Sequence, residues 1–151
     1  MSAPSPESPA VRRATRDDSA DLARLLLQLE HPTSAVYIDS CWEEWSAAGN
    51  AAFVAAGADG TLVGAVTTHQ MRVLHRERPV GRITALVVDA VFRGQGIGRL
   101  LVAAAEAALA DSGCGLIEVT SNLRRTDAHA FYERIGFVRT SLRFAKKQVP
   151  Q

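Results

Sequence analysis

Arginine and glycine alternate with two other residues in one short stretch, Arg93-Gly94-Gln95-Gly96-Ile97-Gly98-Arg99, and the chain then passes at once into a run of alanine and leucine. Glycine inside a regular element costs roughly 0.5–1 kcal/mol relative to alanine. Three of them at the mouth of a helix therefore shape a turn or let something approach the backbone. Anion binding is the chemistry this arrangement suits. The first amides of a helix have no intrahelical acceptor, and the helix dipole places about half a positive charge there. Glycine removes the Cβ atoms that would hold a diphosphate away, and Arg93 and Arg99 flank the loop with neutralising charge.

Spacing narrows the ligand. A dinucleotide fingerprint needs G-x-G-x-x-G, but counting from Gly94 the third glycine position is Arg99. A Walker loop needs a lysine, and the only lysines are Lys146 and Lys147. Neither nucleotide motif fits.

The elements that must hold this loop are legible as patterns. "VRRAT" reads as a short strand, and "TRDDSADLARLLLQLE" as a helix opened by a Thr15/Asp18 capping box. Pro32 ends that helix, because the residue before proline avoids the α region. "YIDSCWEEWSAAG" resumes helical spacing, with Tyr37, Cys41, Trp42 and Trp45 on one side, core packing the expected role of both tryptophans, and Gly49 as the stop. "AAFVAA", "TLVGAVTTHQMRVL" and "PVGRITALVV" are strand-like, and "GADG" marks a tight turn between the first two, so an antiparallel meander is expected. A helix from Ile97 to Ser112 comes next, with apolar residues at i, i+3, i+4 and i+7. "GLIEVT" reads as a strand parallel to the one before the loop, "RTDAHAFYERIG" as a capped helix, and "FVRTSLRFAKK" as a closing strand or hairpin. The expected fold is α+β (mixed α/β), a mostly antiparallel central sheet flanked by helices.

Composition bounds the rest. A chain of 151 residues fits one domain, here expected over residues 10–148 with a disordered tail at 1–9 and a short tail at 149–151. A net charge of +1 gives no steering toward nucleic acid, and no basic stripe with interleaved aromatics appears. Two cysteines, Cys41 and Cys114, belong to no metal-binding spacing, so no metal is expected. No apolar run is long enough to span a membrane and the start lacks the pattern of a signal peptide, so a cytoplasmic protein is expected.

Two segments together resemble one family. Arg93, Gly96 and Gly98, after a strand ending Leu86-Val87-Val88-Asp89, are similar to the Arg/Gln-x-x-Gly-x-Gly/Ala motif of the GNAT superfamily of acetyl-CoA-dependent N-acetyltransferases. "AHAFYERIGF", Ala128 to Phe137, is similar to that family's A-x-x-[FLY]-Y-x-x-x-G-F segment. The resemblance covers nearly all the chain from Val11 to Lys147.

The resemblance implies a coenzyme site and its chemistry. By it, the amides of Arg93, Gly94, Gln95, Gly96, Ile97, Gly98 and Arg99 would hold the diphosphate of coenzyme A. The backbone of Leu86, Val87 and Val88 would pair with the pantetheine arm, in a sheet splayed between the strands of Val87 and Ile117. By the same resemblance a backbone N–H near Val88 would stabilise the oxyanion, and Tyr132 would be the general acid for the leaving thiolate. Relatives often carry a coenzyme-binding Asn where this chain has Arg124 and Arg125, so the contact would fall to Asn122 close by, or either arginine, Arg124 or Arg125, would instead reach a coenzyme phosphate. Many relatives also place a glutamate base where Thr84 stands. Asp89, Glu77, His69, Glu43 and Glu44 are the candidate bases beside solvent, and His129 is expected to serve the helix surface or a cap. The function implied is acetyl transfer from acetyl-CoA to a primary amine of a small molecule, by direct attack in a ternary complex. Acetylation of a protein or peptide, or non-catalytic acyl-CoA binding, are the alternatives. Homodimers are a habit of the family.

Overall fold

The computed structural model describes residues 8–149, so most of the two expected tails lies outside the described residues. The chain forms two compact units that divide after Glu118. The first contains β1 (Ala10–Arg13), α1 (Ser19–Leu27), α2 (Ala35–Ala47), β2 (Asn50–Ala56), β3 (Leu62–Met71), β4 (Val80–Val88) and α3 (Ile97–Asp111), and is closed by β5 (Leu116–Val119). The second carries α4 (Thr126–Arg134).

The five strands lie in the order β1-β2-β3-β4-β5, and the first four pair antiparallel. The meander is set by its turns. Between β2 and β3, Gly57 N donates to Thr61 O at 2.9 Å and Gly60 takes φ +84°, a conformation cheap only for glycine. At β5, Gly115 N donates to Pro79 O at 3.0 Å and Arg82 reaches Glu118. Both pairs have the same offset in sequence, so β5 runs in the direction of β4. One irregularity interrupts the ladder. Thr67 pairs with Ala85 and Thr68 with Ile83, which leaves Thr84 as the extra residue of a bulge.

Each face of the sheet buries a different layer. Leu22 and Leu25 of α1 and Ile38 of α2 pack with Ala52, Val54, Ala65 and Val87, and Trp42 and Trp45 lie against the same cluster. In α2 it is Ile38 that is buried, whereas Tyr37, expected on the inner face, is 61% exposed. Ser34 caps this helix by accepting from Tyr37 N, so the helix starts two residues earlier than expected. Ahead of α1, Asp18 accepts from Thr15 N and takes a two-pronged bond from Arg12, both prongs at 2.8 Å. The Arg12 hydrogen bond, ahead of the Thr15 amide, holds the Asp18 carboxyl below its ordinary range.

The opposite face takes α3 at very close range. A Cβ on Gly64 would lie 2.9 Å from Leu101 Cδ1 and 3.0 Å from Val87 O, and one on Gly81 would lie 2.8 Å from Leu109. Leu101 is fully buried and has nowhere to go. Gly64→Val is therefore expected to destabilise the protein by about 1–3 kcal/mol through overpacking. A thermal melt reads this as a fall of several degrees. An unchanged melting temperature would mean that α3 can lift from the sheet at no cost.

In the second unit α4 ends at Gly136 as expected, in a two-bond cap: Phe137 N donates to Tyr132 O and Gly136 N to Glu133 O, with Gly136 at φ +101°. Its start differs from the expected side-chain cap. Arg125 occupies the cap position and makes no side-chain cap bond, and Thr126 is already helical. The expected final strand or hairpin is also not formed. Residues 137–149 take no regular structure, and Val138, Leu142 and Phe144 stand 79%, 71% and 90% exposed. A strand requires a ladder partner, and this unit offers no second strand among its described residues.

Candidate functional site

Two features of the first unit converge on one edge of β4. The first is the loop. Gly94 and Gly96 take φ +79° and +81°, in open space where a Cβ would meet nothing within 4 Å. Gly96 caps α3, and the first bond of the helix runs from Leu100 N to Gly96 O at 3.2 Å. The amides of Ile97, Gly98 and Arg99 thus lie in the first turn, which has no acceptor for them. Ile97 itself is 1% exposed, so its side chain anchors the helix while its amide serves the loop. Gly94, Gln95, Gly96 and Arg99 are exposed, and Arg93 is exposed with its Nε donating to Val88 O at 3.2 Å.

The second feature is the strand edge itself. Asp89 N donates to Val63 O at 2.8 Å, and with the register this places 63/89, 65/87 and 67/85 as the hydrogen-bonded pairs. Val87 therefore directs its amide and carbonyl to β3. Leu86 and Val88 direct theirs the other way, to the β5 side. Continuing the β4–β5 offset, β5 has run out by Ile83, so residues 84–88 have no strand beside them in this unit. Within this unit the β5 side of residues 84–88 is an unpaired strand edge.

Helix α1 fixes the start of the loop. Arg24 Nη1 reaches Asp89 Oδ2 at 3.0 Å and its Nη2 donates to Leu62 O at 2.7 Å, while Ala90 N donates to Gln28 Oε1 at 2.9 Å. Asp89 Oδ1 accepts from Val91 N. That amide, and then Arg24, hold the Asp89 carboxyl below its ordinary range. Asp89 is thereby a structural cap and a poor base. Glu43, beside Arg16 at 3.6 Å, and Glu44 are exposed on α2, and Glu77 is exposed in the β3–β4 loop.

Of the expected bases, His69 alone lies on the sheet near this edge. It sits opposite Arg82 in the register, and its Nδ1 is buried without a partner among the described residues. Thr67 and Thr84 share a 2.7 Å hydroxyl bond on the same face. Arg82 donates to Glu118 from Nε and Nη2, at 2.9 and 2.6 Å. Neither Arg82 nor Glu118 stood out in the sequence, because the pair is separated by 36 residues and only the parallel pairing of β4 and β5 joins it.

The second unit holds Asn122, Arg125 and Tyr132. Asn122 Oδ1 accepts from Arg124 N at 2.9 Å, and Asn122 O meets both Arg125 N, at 3.0 Å, and His129 Nε2, at 2.8 Å. His129 therefore ties the loop to the helix, in line with the capping role expected of it. The Tyr132 ring packs edge-on against Phe131 and Phe137, with centroids 5.3 and 5.7 Å away. Burial raises the phenol pKa above its ordinary value, and the Arg125 charge opposes that shift.

Residues 18–137 match the model of the Acetyltransferase (GNAT) family. The chain belongs to this family. An aminoalkylphosphonate N-acetyltransferase of Salmonella typhimurium is 38% identical over 88 residues, which are 58% of this chain and 57% of that protein. A solved structure, the putative acetyltransferase from Agrobacterium tumefaciens, is 26% identical with a TM-score of 0.82, over 92% of this chain and 99% of the other. The aminoglycoside N-acetyltransferase AAC(6')-Iy, solved in complex with CoA, shares the fold at 22% identity and TM-score 0.82, over 97% of this chain and 99% of that one. No helix among the described residues is long and apolar enough to cross a membrane.

Proposed function

We propose that this GNAT protein transfers the acetyl group of acetyl-CoA to a primary amine of a small molecule, by direct attack in a ternary complex. The observation that carries the reading is the loop at the end of β4: two left-handed glycines in open space, leading into an unpaired helix start beside a strand edge with free amides. Arg93 to Arg99 would receive the diphosphate. Leu86 and Val88 would line the pantetheine arm with their amides, while Val87, expected to pair with it too, has its backbone committed to β3 and its side chain to the core; the Val88 N–H would face the developing oxyanion. Asn122 and Arg125 are proposed as further coenzyme contacts, and Tyr132 as the acid that protonates the thiolate. Residues 10–148 would work as one domain, in the cytoplasm where acetyl-CoA is at hand, as a homodimer. The relative named for aminoalkylphosphonates supports a small amine over a protein N-terminus.

The test is a panel of primary amines and peptides with acetyl-CoA, monitored by thiol release. Turnover of small amines and not of peptides supports the reading. Turnover of peptides alone overturns it.

The anchoring of the loop by α1 gives a second expected result. Arg24→Ala removes the bonds to Asp89 and Leu62 O, both outside the loop proper. Acetyl-CoA affinity measured by calorimetry should fall by roughly tenfold, the cost of re-ordering a loop otherwise held in place. Equal affinity would show that the glycine conformations alone fix the loop.

A further inference from the structure

The sheet face that packs on α1 and α2 changes character along its length. Under the helices it is apolar, with Val54, Ala65 and Val87 in register with one another. Further along β3 it turns polar. Thr67 stands opposite Ala52 and His69 opposite Asn50, both on the side that Ala52 and Val54 present to the helices. Across β3–β4, Arg82 lies opposite His69, and Thr84 bonds Thr67. Gly81 and Ile83 point to the α3 side, as the contact of Gly81 with Leu109 shows, so Arg82 and its partner Glu118 belong to this polar face. The end of β4 from Thr84 to Val88, the edge proposed for the thioester arm, adjoins it.

Within this group Glu118 is held in an unusual way. Both Arg82 donors land on the same oxygen, Oε1. The guanidinium fixes the side chain, and among the described residues no donor takes Oε2, whose lone pairs remain for a further donor. The pair is only partly exposed, with side-chain exposures of 39% and 36%, so a cation on Oε2 would be screened less than at the open surface. The Thr67 and Thr84 hydroxyls add oxygen acceptors on the same face. A face rich in acceptors, with one fixed carboxylate oxygen free, suits an ammonium group.

Resting on the acetyltransfer reading above, we infer that Glu118 Oε2 holds the ammonium group of the acceptor, with Arg82 as the residue that positions it. The acceptor is then an alkylammonium compound, selected by charge on binding; its proton passes to bulk water before the neutral amine attacks the thioester. Charge-assisted hydrogen bonds of this kind are among the stronger polar contacts.

The experiment uses the full chain with acetyl-CoA and three amines, 2-aminoethylphosphonate, ethanolamine and putrescine, monitored by thiol release. Glu118→Gln should raise the acceptor KM by roughly tenfold or more and leave the acetyl-CoA KM within about twofold, while Glu118→Asp recovers part of the loss. An acceptor KM equal to that of the wild type overturns the assignment and leaves acetyl transfer standing. If the wild type binds acetyl-CoA in calorimetry but turns over none of the amines, both the assignment and the transfer reading fall, and coenzyme binding alone survives. Should Glu118→Gln also lose acetyl-CoA binding, Glu118→Asp decides: a raised acceptor KM with an unchanged acetyl-CoA KM supports the assignment, and an unchanged acceptor KM overturns it.

Discussion

Tyr132→Phe is expected to lower kcat by roughly 10²–10³-fold while leaving the melting temperature close to that of the wild type. The substitution removes one hydroxyl and keeps the ring that packs edge-on against Phe131 and Phe137. A Schellman-type bond pair at the end of α4 uses only the Tyr132 carbonyl, so the backbone cap survives. The chemistry depends on the missing atom. Burial raises the phenol pKa, and Arg125 opposes the shift without cancelling it, so the group stays protonated at neutral pH and well into the alkaline range. An acid with a raised pKa keeps its proton to higher pH than a free tyrosine, so any alkaline fall in kcat caused by its loss is displaced upward. Steady-state rates with an accepted amine, across pH, check both points. An unchanged kcat in the phenylalanine variant would return Tyr132 to a packing role alone.

Gly96→Glu is expected to weaken acetyl-CoA binding by roughly a hundredfold or more, and Gly96→Ala by much less. Gly96 lies at φ +81°, where any other L residue is strained by about 1–2 kcal/mol. Both variants carry that strain, and the alanine variant measures it. The glutamate adds a carboxylate at the helix start, where it competes for the same amides and repels a diphosphate. Calorimetric titration with acetyl-CoA separates the two contributions. Should the glutamate variant bind like the alanine one, the anion does not sit on the first turn of α3, and the proposed cradle is wrong.

Local signals in the sequence placed the elements well, and contacts between distant residues were the ones it hid. The glycine loop, the turn at Gly60, the Asp18 cap and the stop at Gly136 each rest on a few adjacent residues whose conformational demands are specific. Such features can be read without knowing the fold. The same holds for the motif that led to the family. The closing segment misled because Phe137 to Lys147 has the residue types of a strand, yet strand formation is decided by a partner and not by composition. In α2, periodicity alone admitted Tyr37 as an inner residue, and packing against α1 and the sheet buried Ile38 instead. Asp89 looked like a free carboxylate near the reaction. Its bonds to Val91 and Arg24, the latter 65 residues away, make it part of the scaffold. The Arg82–Glu118 pair is the converse case, two ordinary charges that only the β4–β5 offset turns into a site.

The bulge at Thr84 is an insertion that the core does not register. Gly81 and Ile83 before it and Leu86 after it keep to the α3 side, while Arg82, Thr84, Ala85 and Val87 keep to the other, because Thr84 and Ala85 both stand opposite Thr67. Deleting one residue there would leave every neighbour on the layer it already serves. The extra length is spent on the rim alone: β4 advances one residue further past its open side than β3 requires, like a zipper with one spare tooth on a single tape. What the fold gains is a phase difference between two edges of one strand, so that the edge used for building the sheet and the edge offered to a ligand need not keep step.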